Sequence, residues 1–271
     1  MLNHNTSPLY IVKSLKSNFA LLKSLIARDI NSKYNGSYIG VLWSIITPIV
    51  MLAIYTFVFS VVFKAKWGIN SNSKTEFALV LFAGMIIFNL FSECISRSTS
   101  LILQNANYVK KVVFPLEILV PVCLGSALFN FFISFCVWLV AYVVFYGAPH
   151  PSMLLFPLIL LPFIFFVLGL SWFLSALSVF VRDIAQFINL IVTVLLFMSP
   201  VFYPVTALPE DYRHFLFINP LTYFVESFRA IIFFGQGVDQ FLPYCYIASL
   251  FVLWIGFYFF QKTRKGFADV I

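Results

Sequence analysis

Asn105-Ala106-Asn107-Tyr108-Val109-Lys110-Lys111-Val112-Val113-Phe114-Pro115-Leu116-Glu117-Ile118-Leu119-Val120-Pro121 separates two long apolar blocks. Lys110 and Lys111 sit among Tyr108, Val109, Val112 and Phe114, so the stretch is both charged and adhesive. Pro115 has no backbone N–H, so a helix running through Tyr108 to Phe114 ends or kinks there. The pattern describes a short helix at a membrane surface, charges toward water. Its apolar side chains are left to grip either a partner or the lipid headgroups.

Outward from that stretch the chain is 62% apolar and only 10% charged. Its mean hydropathy is +0.98, whereas a soluble domain carries about 25% charge. This is an integral membrane protein, and its 35 Phe exceed what a lipid-facing surface requires. Cys94, Cys123, Cys136 and Cys245 fall inside apolar blocks without a Cys-x-x-Cys and read as packing residues. His4, His150 and His214 are scattered, without metal-ligand spacing. Met1–Ser37 lacks the apolar core of a cleavable signal, so the first span also targets the chain to the membrane.

Residues 1–18 are polar and read as loosely ordered. From Phe19 to Tyr34, Leu21, Leu22, Leu25, Ile26 and Ile30 recur at helical spacing, with Lys23, Arg28, Asp29 and Lys33 between them. That is a helix lying in the membrane interface. Six blocks reach the ~20 apolar residues a hydrocarbon core needs: Tyr38–Phe63, Phe77–Ser96, Ile118–Tyr146, Met153–Phe180, Ala185–Tyr203 and Leu242–Phe260. Two domains follow: residues 1–37, a cytoplasmic arm with its interfacial helix, and residues 38–271, one six-helix transmembrane domain. Six spans put both termini on one side. That side holds twelve of the seventeen Lys and Arg, so it is cytoplasmic, although Lys64, Lys66 and Lys74 dissent.

The opposite side carries residues 205–237, with Pro209-Glu210-Asp211, Asn219-Pro220 and then an apolar run. Two short helices broken at Asn219-Pro220 and dipping into the outer leaflet fit this stretch. Glu226 and Arg229, spaced i,i+3, either pair on a helix or line a wet path. Glu93 and Arg97 pair at i,i+4 near the inner end of the second span.

Several chemistries are missing. There is no phosphate-binding Gly-x-x-x-x-Gly-Lys-Ser/Thr loop. No intramembrane string of Asp, Glu and His suggests a proton relay. A path whose power source lies in another chain remains.

The chain resembles the permease subunit of type-2 ATP-binding-cassette exporters of bacterial polysaccharide. The residues carrying the resemblance are Ala27-Arg28-Asp29-Ile30 with Lys33-Tyr34, Ser37-Tyr38-Ile39-Gly40-Val41-Leu42-Trp43 and Pro48. Asn105 and Val109-Lys110-Lys111 with Phe114-Pro115 follow, then Val181-Arg182-Asp183-Ile184. Ser199-Pro200-Val201-Phe202-Tyr203-Pro204, Leu208-Pro209, Asn219-Pro220-Leu221-Thr222 and Arg229 complete the set.

The resemblance implies that 105–115 is a coupling helix docking into a separate ATPase, through Asn105, Asn107, Tyr108, Val109, Lys110, Lys111, Phe114 and Pro115. It implies two copies of this chain with two ATPase subunits in a bacterial inner membrane. Undecaprenyl-diphosphate-linked glycan, O-antigen above teichoic acid or capsule, would pass between the copies. Short re-entrant helices bearing Pro220, Glu226 and Arg229 would form an outer gate. No cofactor belongs to this chain; ATP and Mg belong to the partner, and no nucleic acid is involved. Ile118-Leu119-Val120-Pro121 departs from the commoner Ile-Leu-Pro spacing, which blurs the start of the third span.

The residues also speak for a sugar path. Aromatic rings offer sugars a flat apolar face, and Tyr or Trp adds a hydrogen-bonding edge. Tyr55, Phe59 and Phe63 recur every four residues; with Tyr38, Trp43, Phe202 and Tyr203 they are channel-lining candidates or, equally for Tyr38 and Tyr203, interface belts. Arg28 and Lys33, beside Tyr34, suit either a diphosphate or anionic lipid at the substrate entrance. A polyprenol-dependent glycosyltransferase is the competing class. It requires a catalytic acid cluster at one membrane face, and the sequence has none.

Overall fold

The computed structural model describes residues 7–62, 67, 74–111 and 114–271, without the side chains of Pro8, Ser60, Val61, Lys74 and Lys111. Phe63, Lys64 and Lys66 lie outside the described residues. Within them the fold is all-α, as lipid demands: a segment without water must satisfy its backbone internally. The helices are α1 (Pro8–Ser17), α2 (Phe19–Tyr34), α3 (Trp43–Tyr55), α4 (Lys74–Gln104), α5 (Ala106–Lys111) and α6 (Leu119–Tyr146). Then come α7 (Phe156–Phe180), α8 (Ile184–Met198), α9 (Glu210–Ile218), α10 (Pro220–Ile232), α11 (Leu242–Thr263) and α12 (Phe267–Val270). A π-helical stretch, Thr56–Val62, prolongs α3.

The core is built around α4. Almost every residue from Phe77 to Leu90 is buried, and α3, α6, α7, α8 and α10 all pack on it. By contrast α3 is nearly bare: Trp43, Ile45, Ile49, Val50, Met51 and Ile54 are all exposed. The most extensive pairing joins α7 to α11. There Gly169 and Gly256 bring backbone onto backbone: a Cβ on Gly256 would lie 1.9 Å from the Gly169 carbonyl oxygen. Small residues permit such approach in a membrane, where packing rather than hydrophobicity joins helices.

Among the described residues, five helical stretches are long and apolar enough to cross a membrane: Gly40–Phe59, Thr75–Gln104, Leu116–Tyr146, Pro151–Phe180 and Leu242–Val270. The expected span Ala185–Tyr203 is shorter than the sequence suggests. Its helix, α8, has 15 residues, about 22 Å at the usual rise, against a core of ~30 Å. Ser199 is already extended, and Pro200 has no N–H with which to resume the helix. Helices α9 and α10 meet at Asn219 with a bend of 100°. The Asn219 side chain caps α10, accepting from the Leu221 N–H at 3.0 Å, and Pro220 occupies the first helical position, where no N–H is needed.

The N-terminal segment corrects the expectation of a loose arm. From Pro8 it is a helix whose Ile11 and Ser14 are buried; Tyr10 packs its ring 6.5 Å from Phe257 of α11. The start of the third span is also settled: a 3-10 turn, Leu116–Ile118, leads into α6 at Leu119. Pro121 therefore falls in the first turn of α6, where its missing N–H costs no hydrogen bond.

Candidate functional site

At one end of the bundle α5 projects between α4 and α6. Asn105 interrupts the helix and donates its side-chain amide to the Leu101 carbonyl at 2.8 Å, while its own carbonyl accepts from the Tyr108 N–H. Asn107 and Lys110 are exposed; Val109, Phe114 and Pro115 are half-buried. Lys110 donates to the Ile271 carbonyl at 2.9 Å. The Tyr108 and Phe114 rings stack at 4.3 Å and 10°. Lys111 lies in α5, with its side chain outside the described residues.

Under this segment lies a buried polar knot that the sequence alone does not reveal. Glu117 is 3% exposed. Its carboxylate accepts from Ser14 Oγ of α1 at 2.9 Å and pairs with Arg264 Nη1 at 2.6 Å. Its carbonyl accepts from the Trp172 indole of α7 at 3.0 Å. Arg264 also donates to the Phe114 carbonyl at 2.7 Å. Four distant parts of the chain therefore converge where the α5 segment ends.

Beside α5, three contacts latch α2 to the bundle. Arg28 donates to the Tyr108 hydroxyl at 3.0 Å. Asp29 takes two hydrogen bonds from Arg97, at 2.8 and 2.9 Å. Lys33 pairs with Glu93. Of the cations expected at a substrate entrance, Lys33 is thus engaged by a carboxylate and Arg28 by the α5 segment. Tyr34 closes the helix; burial, helped by the Glu93 charge, raises its phenol above the usual range. The i,i+4 pair expected between Glu93 and Arg97 is present but long, 3.5 Å, since each has a closer partner on α2.

The aromatic candidates divide. Tyr38 is fully exposed and Trp43 is 43% exposed, Trp43 donating its indole to Ser37 Oγ at 3.1 Å. Tyr55, Phe59 and Phe202 are half-buried. Phe59 stacks on Phe77 at 5.3 Å and on Phe202 at 6.2 Å; Tyr55 lies 6.3 Å from Phe82. The three form a cluster that joins the π-helical stretch to α4 and to the chain after α8. Tyr203 donates to the Phe197 carbonyl at 2.9 Å.

At the other end Arg229 of α10 is 1% exposed, yet each nitrogen of its guanidinium has a partner. It donates to the carbonyls of Val80 at 2.8 Å and Val201 at 2.7 Å, and to that of Pro200. It pairs with Glu226 at 3.0 Å and lies 4.5 Å from the Trp67 ring centroid. A buried cation in lipid survives only when so partnered. Gly84 of α4 makes the room: a Cβ there would sit 2.2 Å from Arg229 Nη2. Pro220, exposed, starts the helix that carries this residue.

Comparison with known proteins places these features. The O-antigen export system permease protein RfbA of Myxococcus xanthus is 27% identical over 265 residues, covering 96% of this chain and 99% of that protein. Its namesake in Klebsiella pneumoniae is 26% identical over 255 residues, covering 93% and 95%. The capsule polysaccharide export inner-membrane protein CtrC of Neisseria meningitidis is 23% identical over 270 residues, covering 97% of both chains. Residues 20–233 match the family described as ABC-2 type transporter. Because that match runs from α2 through α10, the chain belongs to the ABC-2 type transporter membrane family.

Proposed function

We propose that this chain is the permease of an ATP-driven polysaccharide exporter, with O-antigen as its cargo. The observation that carries the reading is the end-to-end similarity to permeases named for O-antigen export, at 26–27% identity over nearly the whole chain. Capsule is the second cargo class, favoured by relatives at 22–23% identity that are named for polysialic acid and capsule export. The chain itself performs no hydrolysis; a separate ATPase subunit binds ATP and Mg and drives it.

The parts take roles accordingly. The α5 segment is the surface that meets the ATPase, with Lys110, Asn107 and the stacked Tyr108–Phe114 pair as its grip. The bare face of α3 supports pairing of two copies, because an apolar helix with so little of its own chain around it needs lipid or a second protomer. The glycan, carried on a polyprenyl diphosphate, passes between the copies along Tyr38 and Trp43, the aromatics exposed to meet it. The α9–α10 elbow, held by Arg229, closes the far end. The basic majority face, and both termini with it, lies in the cytoplasm.

Co-purification with the ATPase encoded beside this chain, followed by hydrolysis assays with and without lipid-linked glycan, tests the proposal. A two-plus-two complex whose hydrolysis responds to the glycan lipid is expected. A chain that recruits no ATPase overturns it.

A further inference from the structure

Between α2, α3, α4 and α6 lies a cavity of about 400 Å³, within the ~300–1,000 Å³ usual for small-molecule sites. Its wall is polar. Asn89, Ser92 and Glu93 of α4 meet Asn130 and Ser134 of α6, with Tyr34, Trp43, Ser44 and Thr47 closing the other side. Asn89 is an exposed residue in a run of α4 that is otherwise buried. Asn130 donates to Glu93 at 3.0 Å, which leaves the carbonyl end of that amide available to another donor. Pro48, also in the wall, cannot donate to the Ser44 carbonyl, so a backbone acceptor is freed beside the same space.

The chemistry of this wall selects a ligand. A polar cavity flanked by apolar helices must be filled by water or by a hydroxylated group. Two carboxamides, a carboxylate and several hydroxyls give mixed donors and acceptors, which vicinal sugar hydroxyls match. The Trp43 and Tyr34 rings supply the flat surface that a sugar's C–H face needs. The charged member of the wall is an acid, Glu93. The cations nearest to it are spent: Lys33 on Glu93 itself, and Arg97 chiefly on Asp29. A phosphate or diphosphate would meet a carboxylate and no unpaired cation.

Resting on the polysaccharide-export reading, we propose that this cavity is a subsite for one neutral sugar residue of the cargo. It lies within a single protomer and does not take the diphosphate.

The test uses the permease–ATPase complex in lipid nanodiscs, with two probes. One is oligosaccharide released, free of lipid and phosphate, from the producing cell's own surface glycan; the other is inorganic pyrophosphate. In Ser134→Cys, a swap small enough to spare packing, alkylation of the new thiol is followed above the background of the native cysteines. Oligosaccharide is expected to slow it about tenfold or more at saturation, and pyrophosphate to leave it unchanged. Asn89→Leu, which fills the cavity, is expected to raise the half-effective glycan-lipid concentration for hydrolysis about tenfold, and Asn89→Gln to restore it. No protection of Ser134→Cys by oligosaccharide, or protection by pyrophosphate instead, overturns the proposal. A wild-type complex that ignores lipid-linked glycan altogether defeats the export reading itself, a result separable from these.

Discussion

Glu117 and Arg264 are 147 residues apart in sequence and 2.6 Å apart in space. The pair ties the chain after α5 to the end of α11, with α1 and α7 joined through Ser14 and Trp172. Glu117→Ala strands a largely buried guanidinium, and breaking a buried pair costs about 3–5 kcal/mol. A fall in melting temperature of the detergent-solubilised protein is the expected result. The double variant Glu117→Met with Arg264→Met is expected to melt closer to wild type than either single variant, since no lone charge remains. Equal losses that simply add would show that the two side chains do not act together.

Arg229 is predicted to be intolerant even of lysine. Three carbonyls and one carboxylate share a planar fork of donors that an ammonium cannot reproduce. Arg229→Lys leaves at least one buried carbonyl unpaired, at about 1–3 kcal/mol each. Gly84→Ala is expected to mimic part of this loss by displacing the guanidinium from the α4 side. Limited proteolysis of the 205–237 region is the readout: both variants should be cut faster than wild type.

Gly256→Leu is predicted to lower the yield of folded protein more severely than any surface substitution. Its side chain would occupy the space of the Gly169 backbone, and overpacking costs about 1–3 kcal/mol or more where backbone must move. Fluorescence-detected size exclusion of the tagged chain gives the answer; a monodisperse peak at wild-type yield would refute the close crossing.

Lys110→Ala with Phe114→Ala is predicted to uncouple transport from hydrolysis. The bundle should remain intact, because Lys110 is exposed and Phe114 only half-buried. The expected outcome is a normally inserted chain, ATP hydrolysis that no longer responds to glycan lipid, and surface glycan reduced about tenfold or more, the loss of one to two side-chain contacts' worth of coupling. Wild-type surface glycan in this variant would remove α5 from the coupling role.

The long apolar blocks and the Asn219-Pro220 break could be read directly, because lipid permits few backbone solutions and proline marks the exceptions. For Glu226 and Arg229 the helical spacing offered a pair or a wet path, and the pair is what forms. What stayed hidden needed partners from elsewhere in the chain. Lys33 looks like an open cation until α4 brings Glu93 to it from 60 residues away. Asn89 and Asn130 are single polar residues in separate apolar runs, and only helix packing places them in one cavity. A sequence signal did exist: Asn89, Ser92, Glu93, Ser96, Arg97 and Ser100 recur at helical spacing and mark one polar stripe on α4. The early end of α8 was less legible, since the carbonyls of Pro200 and Val201 are satisfied by an arginine nearly thirty residues on.

The Gly169–Gly256 contact also sorts the bundle into what can travel and what cannot. Side chains at an ordinary helix interface swing between rotamers and let one helix slip along another; peptide planes pressed together have no such lubricant. α7 and α11 are therefore locked to each other along this crossing. The pieces outside that frame are held instead to α4, through polar side chains that can let go: α2 by Asp29 on Arg97 and Lys33 on Glu93, and the α9–α10 elbow by Arg229 on the Val80 carbonyl.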